Sequence, residues 1–291
     1  MTTQPLRSVL YMPAANERAL EKAKSLPADA IIFDLEDAVA PDAKDSARHA
    51  ACAATGSGLY GRRVLTIRCN GLDTAWGAAD LEAIATSGAA AVVVPKVSST
   101  TYVDEVSKRL DAAGAPPTMT VWAMIETPTA IFDARLIAAH PRVTVLVMGT
   151  NDLARELRAP LVGGRRALVP HLATALLAAR EAGKVILDGV FNDVKDLDGF
   201  ATECTQGVEL GFDGKTLIHP GQVDIANRTW APTDAEIEQA RRIIDAFDAA
   251  LADGRGVVTV DGRMIENLHV ANAQRTLAIA EAIAALDAPT S

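Results

Sequence analysis

Several things this chain lacks narrow what it can be. It has no excess of positive charge: 28 Lys and Arg stand against 37 Asp and Glu, a net charge of −9 over 291 residues. Long-range attraction to nucleic acid or to an anionic membrane is therefore excluded as its way of working, and any anionic ligand has to be met by local cations. Its three cysteines, Cys52, Cys69 and Cys204, are widely separated and lack metal-ligand spacing. That excludes a disulfide framework and fits a reducing cytosol. No run reaches the roughly 18 apolar residues of a membrane span, and the opening MTTQPLRSVLYMP carries no apolar core of a secretion signal. A soluble, cytoplasmic protein is expected. A Gly-rich phosphate loop, a CxxC pair and an HExxH helix are all missing, which argues against a nucleotide hydrolase, a dinucleotide dehydrogenase and a zinc enzyme. His49, His140 and His171 form no triad pattern, and His219 in TLIHP reads more readily as a structural hydrogen bonder than as a site residue.

What is present is a repeat. Four apolar runs each end in a polar residue: VLTIR at Arg68, AVVVPK at Lys96, VWAMIE at Glu126 and VTVLVMGTND at Asp152. Their spacings of 28, 30 and 26 residues match one strand plus one helix, and runs of Val, Ile, Leu and Met without alternation read as buried parallel strands. SVLYM (8–12) and AIIFDLED (30–37) extend the repeat backwards; KVILDGV (184–190) and the stretch around 207–220 extend it forwards. Between the first two strands NERALEKAKSL has helical periodicity with Asn16 or a neighbour as its cap. Eight strands alternating with helices predict a (β/α)8 TIM barrel over residues 1–230, and the four strand-end residues would then meet at the face where such barrels keep their active sites. Residues 231–291 break the pattern. A capping box at Thr233 and Glu236 opens a helix to about Ala252, stopped by Gly254. VVTV, the turn pair Asp261-Gly262 and RMI then predict a hairpin, followed by a helix over about 267–286. This helical and hairpin extension is expected to cap the barrel mouth of a neighbouring subunit.

Glu126 and Asp152, at successive strand ends, can converge on one hard cation. Two carboxylates that leave the other positions to water and substrate oxygens suit Mg2+. The alternative for each is local: Asp152 with Asn151 capping the helix LARELR, and Glu126 preceding the cap of TPTAIFDA. Arg68 would set a fixed positive fork beside the cation, a combination suited to negative charge developing on oxygen. Its structural role would be an ion pair with Glu36 or Asp37. Asp34, Glu36 and Asp37 cannot crowd together unpaired: they either support the water around a bound cation or pair with Arg68 or Lys44. Lys96 can add charge to the site or hold a structural salt bridge.

The strings RSVLYMPAANERALEKA, FDLEDAVAPDAKDSAR, TIRCNGLDT, VVPKV, AMIETP, MGTNDLAREL, GFDGKTLIHPGQ and DGRMIEN resemble, in order from Arg7 to Gln274, the citrate lyase beta subunit and acyl-CoA lyase group of the HpcH/HpaI aldolase family. The resemblance implies a trimeric or hexameric barrel that uses Mg2+ to make or cleave a carbon–carbon bond in a coenzyme A thioester, with an acyl-CoA and a 2-oxo acid as products. Carried over by motif, Glu126 and Asp152 hold the metal and Arg68 stabilises the enolate or keto oxygen. Glu36 and Asp37 support that site, and Tyr11, Asn16, Arg18 and Lys22 lie where the family binds coenzyme A. The chain departs from the family twice. Glu266 in MIEN replaces the acid/base aspartate that reaches a neighbour's site, and Pro13-Ala14-Ala15 lacks the usual glycine. Glu carries the same proton on an arm longer by about 1.5 Å, one carbon–carbon bond, enough to alter a reacting geometry. Cleavage of a malyl-CoA, citramalyl-CoA or citryl-CoA type substrate is the leading expectation. Its rivals are a malyl-CoA-type thioester hydrolase, a CoA-independent pyruvate-type aldolase, and a citrate lyase beta subunit that works only beside an acyl-carrier partner.

Overall fold

The computed structural model describes residues 4–288; Leu6–Thr229 form one compact unit, and Gln4 and Pro5 together with residues 230–288 form the other. In the first, strands and helices alternate as β1 (Ser8–Pro13), α1 (Glu17–Ala23), β2 (Ala30–Asp34), α2 (Lys44–Gly56), β3 (Val64–Arg68), α3 (Gly77–Ala85), β4 (Ala91–Val94), α4 (Thr100–Ala112), β5 (Thr120–Ile125), α5 (Pro128–Ala139) and β6 (Val143–Met148). They continue as α6 (Thr150–Leu157), α7 (Val169–Glu181), β7 (Val185–Asp188), α8 (Leu197–Leu210), β8 (Gly214–Leu217) and α9 (Val223–Trp230). Each strand pairs in parallel with the next, and β8 pairs with β1 to close the barrel. This is the expected (β/α)8 fold. Closure depends on Gly214: a Cβ there would overlap the carbonyl of Leu6, so only glycine lets the last strand come close to the first.

Alternation along the strands decides what lies inside. Val9, Ile32, Val93, Trp122, Met124, Val145, Val147 and Leu187 fill the interior, one from every second position as period-two geometry requires. Continuing the same parity toward the strand C-termini brings the chain to Tyr11, Asp34, Arg68 and Glu126. The hydrophobic interior is thus topped by a polar layer without any change of local structure. Register fixes neighbours within that layer, because Asp34 pairs with Arg68 across β2 and β3. The helices are anchored by their own starts: Asn16, Ser99, Thr127 and Asp196 each cap a first turn through a side-chain oxygen.

Outside the barrel interior, Lys215 on β8 and Asp188 on β7 are fully buried and 2.8 Å apart. Arg165, in the α6–α7 connection with φ +47°, reaches the same carboxylate at 2.7 Å, while Glu203 on α8 takes the other side of Lys215 at 2.8 Å. The ammonium and guanidinium hold the Asp188 carboxyl below its ordinary value even though burial pushes the other way.

In the second unit Thr233 and Glu236 form a reciprocal capping box that opens α10 (Asp234–Ala252), with Gly254 at φ +76° beyond its end. β9 (Val258–Val260) and β10 (Arg263–Ile265) pair antiparallel around Asp261 and Gly262, both at positive φ, the signature of a tight hairpin turn. α11 (Asn267–Asp287) closes the described chain. Phe247, Ile265 and Val270 make this unit's own small core.

Candidate active site

Arg68 is the most heavily held side chain at the barrel's C-terminal end. Its Nε and Nη2 donate to Asp34 at 2.6 and 2.7 Å, and Nη1 lies 2.8 Å from Glu36 and 3.7 Å from Asp37. The guanidinium carbon stands 4.9 Å over the ring of Tyr11, in cation–π range. Burial disfavours the charge, but Asp34 and Glu36 raise the Arg68 pKa well above its ordinary value, so the fork is permanently positive. A guanidinium has five N–H donors; the two held by Asp34 and the one toward Glu36 leave two for a ligand.

The expected ion pairs of Arg68 with Glu36 and Asp37 therefore form, and the strongest partner is Asp34, which the sequence reading grouped with them. Lys44 behaves differently from expectation. Its Nζ donates to the carbonyls of Leu35 and Glu36 and to the Asn70 side chain at 2.7 to 2.8 Å, bracing the backbone of the acidic loop rather than pairing with its carboxylates. Burial pulls its pKa down.

Glu126 follows β5 directly and is buried. Its Oε1 accepts the main-chain N–H of Lys96 at 2.7 Å. Burial pushes its carboxyl up to about 8; the Lys96 amide works against this, and the nearby charges of Glu36 and Asp152 add to it. Asp152 is not at the end of β6, as the spacing suggested, but in the first turn of α6, and Gly149 rather than Asn151 or Asp152 is the N-cap. A carboxylate there is stabilised by the helix's positive end, and Arg155 pairs with it at 2.7 Å. Lys96 lies two residues past β4 with φ +50°, its ammonium 3.2 Å from Glu36.

Tyr11, Asp34, Arg68, Glu126 and Asp152 line one cavity of about 350 Å³, whose other wall is apolar with Met124, Met148, Val190 and Ile218. Among the described residues no group of three or more His, Cys, Asp and Glu could cage a metal. The two carboxylates of this cavity are a different donor set. They offer hard oxygens, one of them desolvated and short of positive charge, and leave most positions to water or ligand, which fits Mg2+ and no softer metal.

None of Asn16, Arg18, Lys22 and Glu266 is among the residues that line this cavity. Asn16 spends its side-chain oxygen on the N–H of Ala19, while Arg18 and Lys22 are exposed one turn apart on α1. Glu266 is exposed at the N-terminus of α11 in the second unit, where its N–H donates to His269 Nδ1 at 3.2 Å. His219 caps the short turn Pro220–Gln222, the structural role expected of it. Sequence reasoning missed Gly149, on which a Cβ would overlap Glu126; the only signal was its place immediately after an apolar strand.

The profile of the HpcH/HpaI aldolase/citrate lyase family matches residues 7–220. The (3S)-malyl-CoA thioesterase of Cereibacter sphaeroides is 52% identical over 98% of both chains. Citrate lyase subunit beta of Escherichia coli is 37% identical over 96% of this chain and 94% of its own. Among solved structures, protein CitE from Mycobacterium tuberculosis in complex with magnesium, acetoacetate and coenzyme A superposes with a TM-score of 0.75 at 29% identity, covering 94% of this chain and 97% of that one.

Proposed function

Because the chain belongs to the HpcH/HpaI aldolase/citrate lyase family, we propose that it is a Mg2+-dependent enzyme of short hydroxy-dicarboxylic acyl-CoA thioesters, and that it hydrolyses the thioester of a (3S)-malyl-CoA-type substrate. The observation that carries hydrolysis is the 52% identity, over 98% of each chain, to a (3S)-malyl-CoA thioesterase. Glu126 and Asp152 would hold the ion. Bound there, it supplies Lewis-acid polarisation of a substrate oxygen.

The chain's own residues do the rest. The two free N–H groups of Arg68 stabilise negative charge as it develops on the acyl oxygen, and they are pre-aimed because Asp34, Glu36 and the Tyr11 ring fix the guanidinium. The apolar wall of Met124, Met148, Val190 and Ile218 excludes bulk water, which strengthens that interaction. Arg18 and Lys22 on α1 are the local cations that an acidic protein requires for the phosphates of coenzyme A, with Asn16 at the start of the same helix and Tyr11 in the cavity lining. Glu266, delivered by a neighbouring subunit of a homotrimer or hexamer, is the proton carrier. In hydrolysis it takes a proton from water as the oxygen adds to the acyl carbon, and the carbon–sulfur bond then breaks with the proton passing to the departing coenzyme A thiolate.

A second reading keeps the family's carbon–carbon cleavage, favoured by the 37% identity to citrate lyase subunit beta. There the same Arg68 charge stabilises an enolate, and Glu266 serves the acyl-CoA carbon instead of water. Product analysis separates the two: incubated with (3S)-malyl-CoA and Mg2+, a hydrolase yields malate and free coenzyme A thiol, whereas a lyase yields glyoxylate and acetyl-CoA. Acetyl-CoA and propionyl-CoA offered with glyoxylate, pyruvate or oxaloacetate test the lyase in its condensing direction. Glu126→Gln and Asp152→Asn are each expected to abolish Mg2+-dependent turnover, and full activity in either would overturn the assignment of the site.

A further inference from the structure

Lys96 makes two contacts that no other described residue combines at this site. Its main-chain N–H donates to Glu126 Oε1 at 2.7 Å, and its ammonium lies 3.2 Å from Glu36 Oε1, while the other oxygen of Glu36 lies 2.8 Å from Arg68. One residue thereby joins the carboxylate half of the cavity to the guanidinium half. It does so from a left-handed backbone, φ +50°, which residues with a Cβ seldom adopt outside turns and functional sites. The N–H lies in the peptide plane that Lys96 shares with Pro95, between the buried end of β4 and the buried Val97. With the chain held on both sides, a residue that cannot adopt the left-handed φ has to rotate that plane or displace the chain, and either moves the N–H off Glu126. On the opposite side the backbone of Gly149 closes against the same carboxylate, so Glu126 is gripped between a donor and a wall.

We propose that Lys96 is a positioning residue with two separable parts: its left-handed amide orients Glu126 for the divalent cation, and its ammonium holds Glu36 against Arg68. This rests on Glu126 being a cation ligand, so the test includes a variant for that premise.

The probe is Mn2+, counted by the loss of its free six-line electron paramagnetic resonance signal on titration into each full-length protein, with no substrate present. Lys96→Gly is compatible with the left-handed turn, keeps the N–H and removes the side chain with its ammonium. It should bind Mn2+ within about twofold of the parent while losing turnover, because Glu36 is released from its tether. Lys96→Val keeps an N–H, but a β-branched residue is excluded from the left-handed region. The amide must turn away, and Mn2+ affinity should fall by tenfold or more. Equal Mn2+ binding in the valine variant and the parent, or a tenfold loss in the glycine variant, would overturn the proposal. If the valine variant fails to fold by circular dichroism, the glycine arm still decides. Glu126→Gln separates the two levels: unchanged Mn2+ binding there would sink the cation-site reading itself, whereas its loss with binding intact in Lys96→Val would sink only the role given to Lys96.

Discussion

Substituting Gly149 with alanine isolates one ångström of geometry at this site. Gly149 has φ −94° and ψ 77°, a negative-φ conformation open to alanine, so the substitution brings no left-handed backbone penalty. The added Cβ, however, would overlap the Cβ and Oε2 of Glu126 and lie 3.1 Å from its Cδ. Non-bonded carbons rest at about 3.5 to 4.0 Å, so the Glu126 side chain has to retreat by about 1 Å. It cannot retreat freely, since Oε1 is tied to the Lys96 amide at 2.7 Å. Either that hydrogen bond breaks or the carboxylate rotates away from its partner across the cavity. Overpacking of this kind costs about 1 to 3 kcal/mol of stability, which a barrel of this size survives. Displacing a functional group by about 1 Å costs on the order of 100-fold in rate. The expectation is therefore a folded protein, with a melting temperature lowered by a few degrees. Its kcat with (3S)-malyl-CoA should fall by about two orders of magnitude and its half-saturating Mg2+ concentration should rise. Thiol release followed with a chromogenic disulfide, at several Mg2+ concentrations, measures both. Unchanged kcat and unchanged Mg2+ dependence would refute the reasoning, because the contact is unavoidable and only an uninvolved Glu126 could absorb it silently.

Three further outcomes follow from other contacts. Asp188→Asn leaves Lys215 buried with half its compensation and should cost about 3 to 5 kcal/mol in denaturant unfolding. Because the folded carboxyl titrates below its ordinary value, its contribution is in place above about pH 4, the unfolded value, and is lost as pH falls through the lower folded value; between pH 6 and 3 the parent should lose stability more steeply than the variant, and parallel curves would refute this. Tyr11 meets Arg68 with its ring face, whereas its hydroxyl points to Met124 sulfur at 4.0 Å. Tyr11→Phe should leave kcat/KM within about threefold, and Tyr11→Leu should lower it by about 3- to 30-fold, the worth of a cation–π contact of about 0.5 to 2 kcal/mol; equal losses would mean that the hydroxyl itself meets substrate. Glu266→Asp shortens the acidic arm by one methylene. It should raise glyoxylate release relative to malate, measured on the same (3S)-malyl-CoA sample, and an unaltered product ratio would remove Glu266 from the choice of reaction.

The barrel was legible because buried parallel strands announce themselves as short apolar runs, and a spacing of about 30 residues leaves room for one helix between them. Arg68 and Glu126 were legible for the same reason: each lies one or two positions beyond residues that the strand parity points inward. Asp152 was found by residue type and spacing, although its place is the first turn of α6 and not a strand end. The pairing inside the acidic cluster was not legible. Asp34, Glu36 and Asp37 are equally acidic in sequence, and only the register of β2 against β3 sets Asp34 opposite Arg68 and makes it the bidentate partner. The left-handed Lys96 was hidden too, because lysine carries none of the sequence signal that glycine or asparagine gives for that conformation. The Lys215–Asp188 pair was invisible for a related reason, since a lysine directly after a glycine reads as surface until the closing strand buries it.

These missed contacts share an electrostatic logic. Asp34, Asp37, Glu126 and Asp152 line one cavity with Arg68; Glu36 and Arg155 pair with members of that lining, and Lys96 pairs with Glu36, an excess of negative charge in a protein that is already acidic. Asp34 is answered in full by the guanidinium, and Glu36 is shared between two bases. Glu126, the most buried of the acids not paired to a base, is left with a single amide, and its carboxyl rises to about 8 through burial first. A carboxylate kept that short of compensation costs stability unless something binds it. A cation bound as proposed would offset that deficit, and Lys96 and Gly149, neither of them an acid, are the residues whose backbones close on Glu126.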